Sequence, residues 1–525
     1  MSQFDTKQVP MEVGIEKGAS EFIEDAPAAK NSIQDNVLRD AELMAGESQE
    51  KVSVISASLV SIKDDLGHFL SDTEKEWVSA GTSVGALIGA LAGGTLADRI
   101  GRKWVLAIGD VLFVIGAIII CSSFSVIQII TGRVVLGFGV GIAAAVAPLY
   151  IAELAPTRFR GGLVTVQSIC ITGGQFFSYC IGIPLTGRDG WRIQFAIGIV
   201  PAVVQGAAIH FLPESPRYDL LRGREVAARK TLDRIYGSMS ERYIDLKMHA
   251  LRETVEISAR FQKEHSTLQT WKLVATTGRY RRPAITALGV GIFQQLCGFN
   301  TLMYYSATIF SMAGFNNPTA TGLIVSGSNL FFTIVSMLLL DRVGKRRILL
   351  STYPGMIAGL ALAAVAFGKM TAHTGGKLIT GEVYPAQWSN MMLGMMVVFI
   401  AFYATGSGNI TWTCGELFPM ELRGVGSAIL AGGVWSANIV ISATFLSIMN
   451  AIGAAGAFGL YAGICALGLV FIFFCYLEPS GLSLEEIQIC YEHGFGIAKS
   501  REIRREHALA RKQVLTDANE GSLQA

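Results

Sequence analysis

The sequence predicts an all-α polytopic membrane protein of two parallel helical halves, and three observations carry the prediction. The first is composition. Of the 525 residues, 51% are hydrophobic and 16% are charged, against about 25% charged in an ordinary soluble domain. The mean hydropathy is +0.44. The second is that apolar residues run together, nearly free of charge, over lengths that could cross a bilayer. The third is that charged motifs recur in the same order in the two halves of the chain. A surface this poor in charge excludes a cytosolic enzyme, a nucleic-acid-binding protein and a disordered scaffold. The net charge of +2 is too small to call for an anionic partner. Cysteine usage does not suggest a disulfide framework either, because all but Cys490 lie inside apolar runs.

A helix needs roughly 20 mainly apolar residues to cross a hydrocarbon core of about 30 Å. Runs of that kind begin near Trp77, Trp104, Val126, Gly161, Ile193, Ala284, Thr319, Ile348, Met391, Gly424 and Gly456, which makes about 11 full spans. A barrel would need short alternating strands instead. Lys and Arg set the orientation. Arg99, Arg102 and Lys103 follow the first run, Arg158 and Arg160 the third, Arg342 to Arg347 the seventh, and Arg423 the ninth. With the polar segment from Pro213 to Pro283 they fall on one face, assigned to the cytoplasm. The opposite loops carry little beyond Arg188, Arg192, Lys369 and Lys377.

The repeat sets the domain plan. Asp98-Arg99-Ile100-Gly101-Arg102-Lys103 recurs as Asp341-Arg342-Val343-Gly344-Lys345-Arg346, and Glu153-Leu154-Ala155-Pro156 with Arg160 recurs as Glu416-Leu417-Phe418-Pro419 with Arg423. Two parallel halves of six helices are one known transporter plan. The expected divisions are an acidic disordered tail (1–50), an N-terminal half (51–212), a cytoplasmic helical linker (213–283), a C-terminal half (284–477) and a cytoplasmic tail (478–525). The repeat also exposes a gap. Stepping back from Asp98 as far as Ala284 lies from Asp341 reaches Ala41, where only Val52 to Ile62 is apolar. The first helix is therefore expected to be missing or reduced to a stub.

Several polar groups stand in these dry runs. Gln294, Gln295 and Asn300 share one span, and buried amides without partners cost about 1–3 kcal/mol each. Gly298 between them can loosen the helix so that they converge, and Tyr304 follows one turn beyond Asn300 on the same side. Amides donate and accept at once, which suits a polyhydroxylated ring; they also join helices to one another in membranes. Arg133 lies within the third run, and an intramembrane arginine marks function by default. Asp110 in the second run is a candidate to neutralise it. His210, near a helix end, reads as structural. Asp98, Arg99, Arg102, Glu153, Arg160, Asp341, Arg342, Glu416 and Arg423 form two matching charged sets at the cytoplasmic helix ends. Salt bridges there would latch the halves together and release them again, since exposed pairs are worth only about 0–1 kcal/mol; plain positive-inside charge is the simpler reading. No nucleophile, metal cluster or phosphate loop is visible, so no enzyme, metal or cofactor is expected.

The motifs carry a resemblance. Gly94-Thr-Leu-Ala-Asp-Arg-Ile-Gly-Arg-Lys103 is similar to the loop signature of the major facilitator superfamily. Pro213-Glu-Ser-Pro-Arg217, Gln294-Gln295-Leu-Cys-Gly298-Phe-Asn300 with Tyr304-Tyr305, and Glu416-Leu-Phe-Pro419 resemble its sugar porter family. The segment from Met303 to Arg347 and Gly408-Asn409-Ile410-Thr411-Trp412 look most like the fungal myo-inositol transporters. The resemblance covers about Val54 to Ile487 and implies a major facilitator fold. It implies proton-coupled import of a polyol by alternating access across the plasma membrane, most like myo-inositol, with hexose as the alternative. It further implies ring contacts at Asn329, Trp412, Asn438 and Gln175, with Gln167 a second glutamine on the fifth family helix. In proton-coupled members the arginine matching Arg133 pairs with an aspartate on the first helix, and no residue takes that place here. A form that does not transport is the other reading of that gap. The expected partners are a small polyol or sugar, protons and the lipid bilayer, with no nucleic acid, and a monomer.

Overall fold

In the computed structural model, residue 62 and residues 65–509 are described, apart from 156–159 and the loop positions 186, 188, 238–239, 316, 380–381 and 493. The side chains at 160–165, 262, 267, 341, 420 and 484 also lie outside the described set. So do the acidic tail and the apolar stretch before Ile62, on which the expectation of a first-helix stub rests.

The N-terminal half contains α1 (Asp72–Ile100), α2 (Arg102–Cys121), α3 (Val126–Leu154), α4 (Arg160–Gly182) and the pair α5 (Gly190–Ile197) and α6 (Ile199–Ile209). The linker forms α7 (Pro216–Leu221), α8 (Glu225–Tyr236), α9 (Glu241–Glu264) and α10 (Thr267–Thr276). The C-terminal half contains α11 (Gly278–Leu296), α12 (Phe299–Met312), α13 (Pro318–Val343), α14 (Lys345–Met370), α15 (Ala386–Thr405), the short α16 (Ser407–Ile410) and α17 (Arg423–Cys475). Helix α18 (Leu484–Glu492) follows, and residues 497–509 of the tail are helical as well. There is no strand among the described residues. Each apolar run picked out in the sequence begins inside one of these helices. Eight described helices are long and apolar enough to cross a membrane. One of them, the 53-residue α17, is interrupted at Gly453, where the chain turns back on itself between two apolar arms.

Local chemistry explains the boundaries. Ser71 and Glu74 form a capping box at the start of α1, which satisfies two of the free N–H groups of the first turn. At α3 the Ser125 hydroxyl caps the helix by accepting from the Gln128 N–H. Along the α1–α3 contact, glycines let backbones touch: a side-chain carbon added at Gly85 would lie 2.0 Å from the Val134 carbonyl, and one at Gly137 would lie 2.1 Å from that of Thr82. Small residues of this kind are how helices pack where lipid supplies no hydrophobic drive. The linker has its own small core of Ala228, Leu232, Tyr236, Ile244 and Met248. It is tied to the end of α1 where the Tyr218 hydroxyl donates to the Arg99 carbonyl at 3.2 Å.

Candidate functional site

The chain between α11 and α12 is broken at Gly298, with φ 89°. A side-chain carbon there would lie 2.6 Å from the Tyr461 ring, so both the backbone angle and the space call for glycine. The break turns the amides toward different neighbours. Gln294 Nε2 donates to the Tyr403 hydroxyl at 2.5 Å, and Asn300 Nδ2 donates to Gln295 Oε1 across the break. One turn on, the Tyr304 hydroxyl donates to Asn438 Oδ1 at 3.4 Å, and the Ser442 hydroxyl reaches the same oxygen at 2.9 Å. Gln294, Gln295, Tyr304 and Asn438 are all buried. From α13, Asn329 Nδ2 donates across to Gln175 Oε1 on α4 at 2.9 Å, also buried, so this bond joins the two halves. The Tyr179 hydroxyl on α4 adds a second link, 2.7 Å from Ser306 Oγ.

Among the described residues, Gln294 Oε1 and Trp435 Nε1 of this region have no hydrogen-bond partner, and neither do Thr301 Oγ1 and the Tyr461 hydroxyl. A buried polar atom left unmade in a native protein calls for an explanation, and water or a ligand is the usual one. Trp435 lies one turn before Asn438 on α17; in the sequence nothing separates it from a packing tryptophan, and only its stranded indole N–H marks it. Gln167 is buried on α4 but outside these bonds. Trp412 stands on the 3₁₀ segment Thr411–Leu417, 36% exposed, and likewise outside them.

Arg133 on α3 is 1% exposed. Gly81 of α1 packs on it, a carbon added there lying 3.4 Å from Arg133 Cβ, and the groups it acts on electrostatically are the Tyr304 and Tyr305 hydroxyls. Among the described residues it has no ion pair. Asp110 is not paired with it among the described residues; it accepts from Gln205 Nε2 of α6 at 3.3 Å. His210 Nδ1 lies 2.8 Å from the Gly206 carbonyl one turn back, a local helix-end contact.

At the Lys- and Arg-rich helix ends the repeated motifs build the same clamp twice. In the first half Arg102 grips Glu153, Nε to Oε2 at 3.0 Å and Nη2 to Oε1 at 3.2 Å, with Asp98 at 3.1 Å. In the second, Lys345 pairs with Glu416 at 2.5 Å. The next cation in each motif caps the last helix of its half. Lys103 donates to the His210 and Leu212 carbonyls, both at 2.9 Å, and Arg346 donates to those of Phe473, at 2.8 Å, and Tyr476. A carboxylate closes each unit. Glu214 accepts from the backbone N–H groups of Arg102 at 3.1 Å and Lys103 at 3.3 Å, and Glu478 from those of Lys345 at 3.1 Å and Arg346 at 3.0 Å. Both therefore sit on helix N-termini, where negative charge is favoured. Burial pushes the Glu214 carboxyl up from its ordinary value, against the opposing pull of these N–H groups and of Arg102. The motif glycines fit the same plan, since a carbon at Gly101 or Gly344 would lie 2.3 Å or 2.7 Å from a carboxylate oxygen of Glu214 or Glu478.

The clamps differ from the expected latch. Each of these ion pairs closes within one half, because the loop joins neighbouring helices of that half, so they brace the halves internally and do not strap one to the other. Arg99 and Arg342 are exposed, and Arg423 opens α17. The side chains of Arg160 and Asp341 lie outside the described residues. Lys103, Lys345, Arg346 and Glu214 stood in the quoted motifs but not in the expected latch set, and Glu478 stood in neither; the equivalent positions of the two glutamates, just after the last helix of each half, were the available signal.

Comparison with known proteins follows this geometry. Residues 29–491 match the family model described as sugar (and other) transporter. The chain is 70% identical over 504 residues to myo-inositol transporter 1A of Cryptococcus neoformans var. grubii serotype A, covering 92% of this chain and 89% of that protein. It is 38% identical over 472 residues to myo-inositol transporter 1 of Saccharomyces cerevisiae, covering 89% and 80%. In fold it is similar to the proton:xylose symporter XylE bound to 6-bromo-6-deoxy-D-glucose, with a TM-score of 0.72 at 24% identity, over 88% of this chain and 99% of that one. With the paired helical halves, the duplicated clamps and the buried amides, these matches place the chain in the sugar (and other) transporter family, with fungal myo-inositol transporters among its relatives and a fold like that of the major facilitator superfamily.

Proposed function

We propose that the protein imports a polyol, myo-inositol, together with protons across the plasma membrane, by alternating access between its two halves. The observation that carries this reading is the buried amide cluster of the C-terminal half, in which Gln294 Oε1 and Trp435 Nε1 are left without partners among the described residues, beside the Asn329–Gln175 bond that joins the halves. Ring hydroxyls donate and accept at once and would complete both, while an indole face suits the C–H face of the ring. The names of the relatives favour inositol among polyols. Gln175, Asn329, Asn300, Tyr304 and Asn438 would complete the binding set, and Trp412 and Gln167 would join it when the halves move. The internal clamps keep each half stiff, so that the halves rock as bodies. Arg133, buried and without an ion pair among the described residues, is the group through which proton binding would be felt.

The test is uptake of labelled myo-inositol by yeast lacking its own inositol carriers, at acid and neutral pH, with excess glucose as competitor. Uptake that rises in acid and resists glucose is the expected result. Uptake of glucose in place of inositol would move the substrate to a hexose, and insensitivity to pH and to an uncoupler would remove the proton. No uptake of either, despite surface expression, would overturn transport.

A further inference from the structure

Glu76 lies in the second turn of α1 and is 3% exposed, a costly place for a carboxylate in a membrane span. Both of its oxygens face α17. The Ser447 backbone N–H donates to Oε1 at 2.7 Å and the Ser447 hydroxyl donates to Oε2 at 2.8 Å. One turn outward, Asn450 Nδ2 donates to Asp72 at 2.9 Å. Helix α1 belongs to the first half and α17 to the second, and these contacts lie at the ends remote from the Lys- and Arg-rich loops. They form a two-point clasp between the halves at the outer face, where the clamps of the cytoplasmic face act only within halves.

The clasp is continuous with the amide cluster. Tyr305 of α12 lies within electrostatic reach of both Glu76 and Arg133, and its hydroxyl donates to the Ser442 carbonyl at 2.9 Å. Its neighbour Tyr304 reaches Asn438. Around Glu76 stand Ser447 from α17, bonded to it, Tyr305 from α12, which also feels Arg133 of α3, and on its own helix Asp72, bonded to Asn450 of α17 and to Lys75 at 3.2 Å. An ionised carboxylate accepts both Ser447 bonds, and charge-assisted bonds are about twice as strong as neutral ones. A protonated carboxyl has one accepting oxygen and one O–H, so one of the two bonds must be lost or reversed.

We propose that Glu76 is a positioning residue of the transport cycle: ionised, it holds α1 on α17 and closes the outer path, and protonated from outside it gives up or reverses one of its two Ser447 bonds, loosens its hold on α17 and lets the outer ends part. The test needs no transported substrate, so it stands or falls apart from the assignment of inositol. Ser79, buried one turn inward of Glu76, is replaced in a Ser79→Cys reporter, and intact cells are labelled with a membrane-impermeant maleimide, the chain without the reporter giving the background. The rate with Glu76→Gln, which mimics the neutral acid, is divided by the rate with Glu76 at each pH, so that the thiol's own pH dependence cancels. The ratio is expected to be severalfold at neutral pH and close to one in acid. A ratio of one at both pH values overturns the proposal. An equally raised ratio at both also overturns it, because Glu76 would then be a brace that does not titrate. Ser447→Ala is the second variant: it removes the hydroxyl and keeps the backbone donor, and should raise neutral-pH labelling while leaving it acid-responsive; no rise overturns the clasp.

Discussion

Asn329 and Gln175 come from different halves of the chain and share one buried hydrogen bond of 2.9 Å. Removing the donor costs about 1–3 kcal/mol at a buried site, and each 1.4 kcal/mol is about tenfold in an equilibrium. Asn329→Leu is therefore expected to raise the KM for inositol uptake about tenfold with surface expression unchanged; an unaltered KM would make the bond purely structural. The amide chemistry of Gln294, Gln295 and Asn300 was legible in the sequence, because an amide in an apolar run has to be answered somewhere. Their partners were not. Tyr403, which receives Gln294, lies more than 100 positions along the chain, and Trp435 differs from a packing tryptophan only by what surrounds its N–H.

At the scale of elements, the clamp around α2 joins a helix N-terminus to a half-buried carboxylate, and that has a consequence for pH. Burial holds the Glu214 proton to a higher pH in the folded protein than in the unfolded chain. Between the ordinary glutamate value of about 4.3 and the raised folded value, the folded state binds more protons, so stability falls as pH rises through that window and is regained as pH falls back. Glu214→Gln keeps the shape and cannot titrate. Thermal unfolding in detergent across the acid range should show the variant's Tm losing that part of the pH dependence; a profile parallel to the parent's would remove Glu214 from the titrating set. The helix breaks show how far local signals reach. Gly298 was readable as a point of weakness between amides, but its left-handed angle matters because the Tyr461 ring leaves no room for a side chain.

Across the whole molecule the two halves repeat in sequence and diverge in burial. The side chains of Arg102 and Glu153 are 3% and 8% exposed, whereas that of Glu416, in the matching pair, is 53% exposed. Breaking a buried pair from one side costs roughly 3 kcal/mol or more, while an exposed pair is worth about 0–1 kcal/mol. Glu153→Ala should thus lower the Tm in detergent far more than Glu416→Ala, although the motif reads the same at both sites. Equal losses would show that the second clamp is buried by a conformation other than this one.

The sequence by itself determined the membrane class, the apolar runs, the duplication and the family, because each rests on transfer free energies or motifs that act over one or two turns of chain. Only the tertiary structure decided which polar group answers which: Glu76 with Ser447, Gln175 with Asn329, and Glu214 and Glu478 on helix ends in place of a latch between the halves. Those choices depend on how helices distant in the chain pack side by side, where a buried donor and acceptor must meet within about 3 Å, and no local pattern encodes that distance.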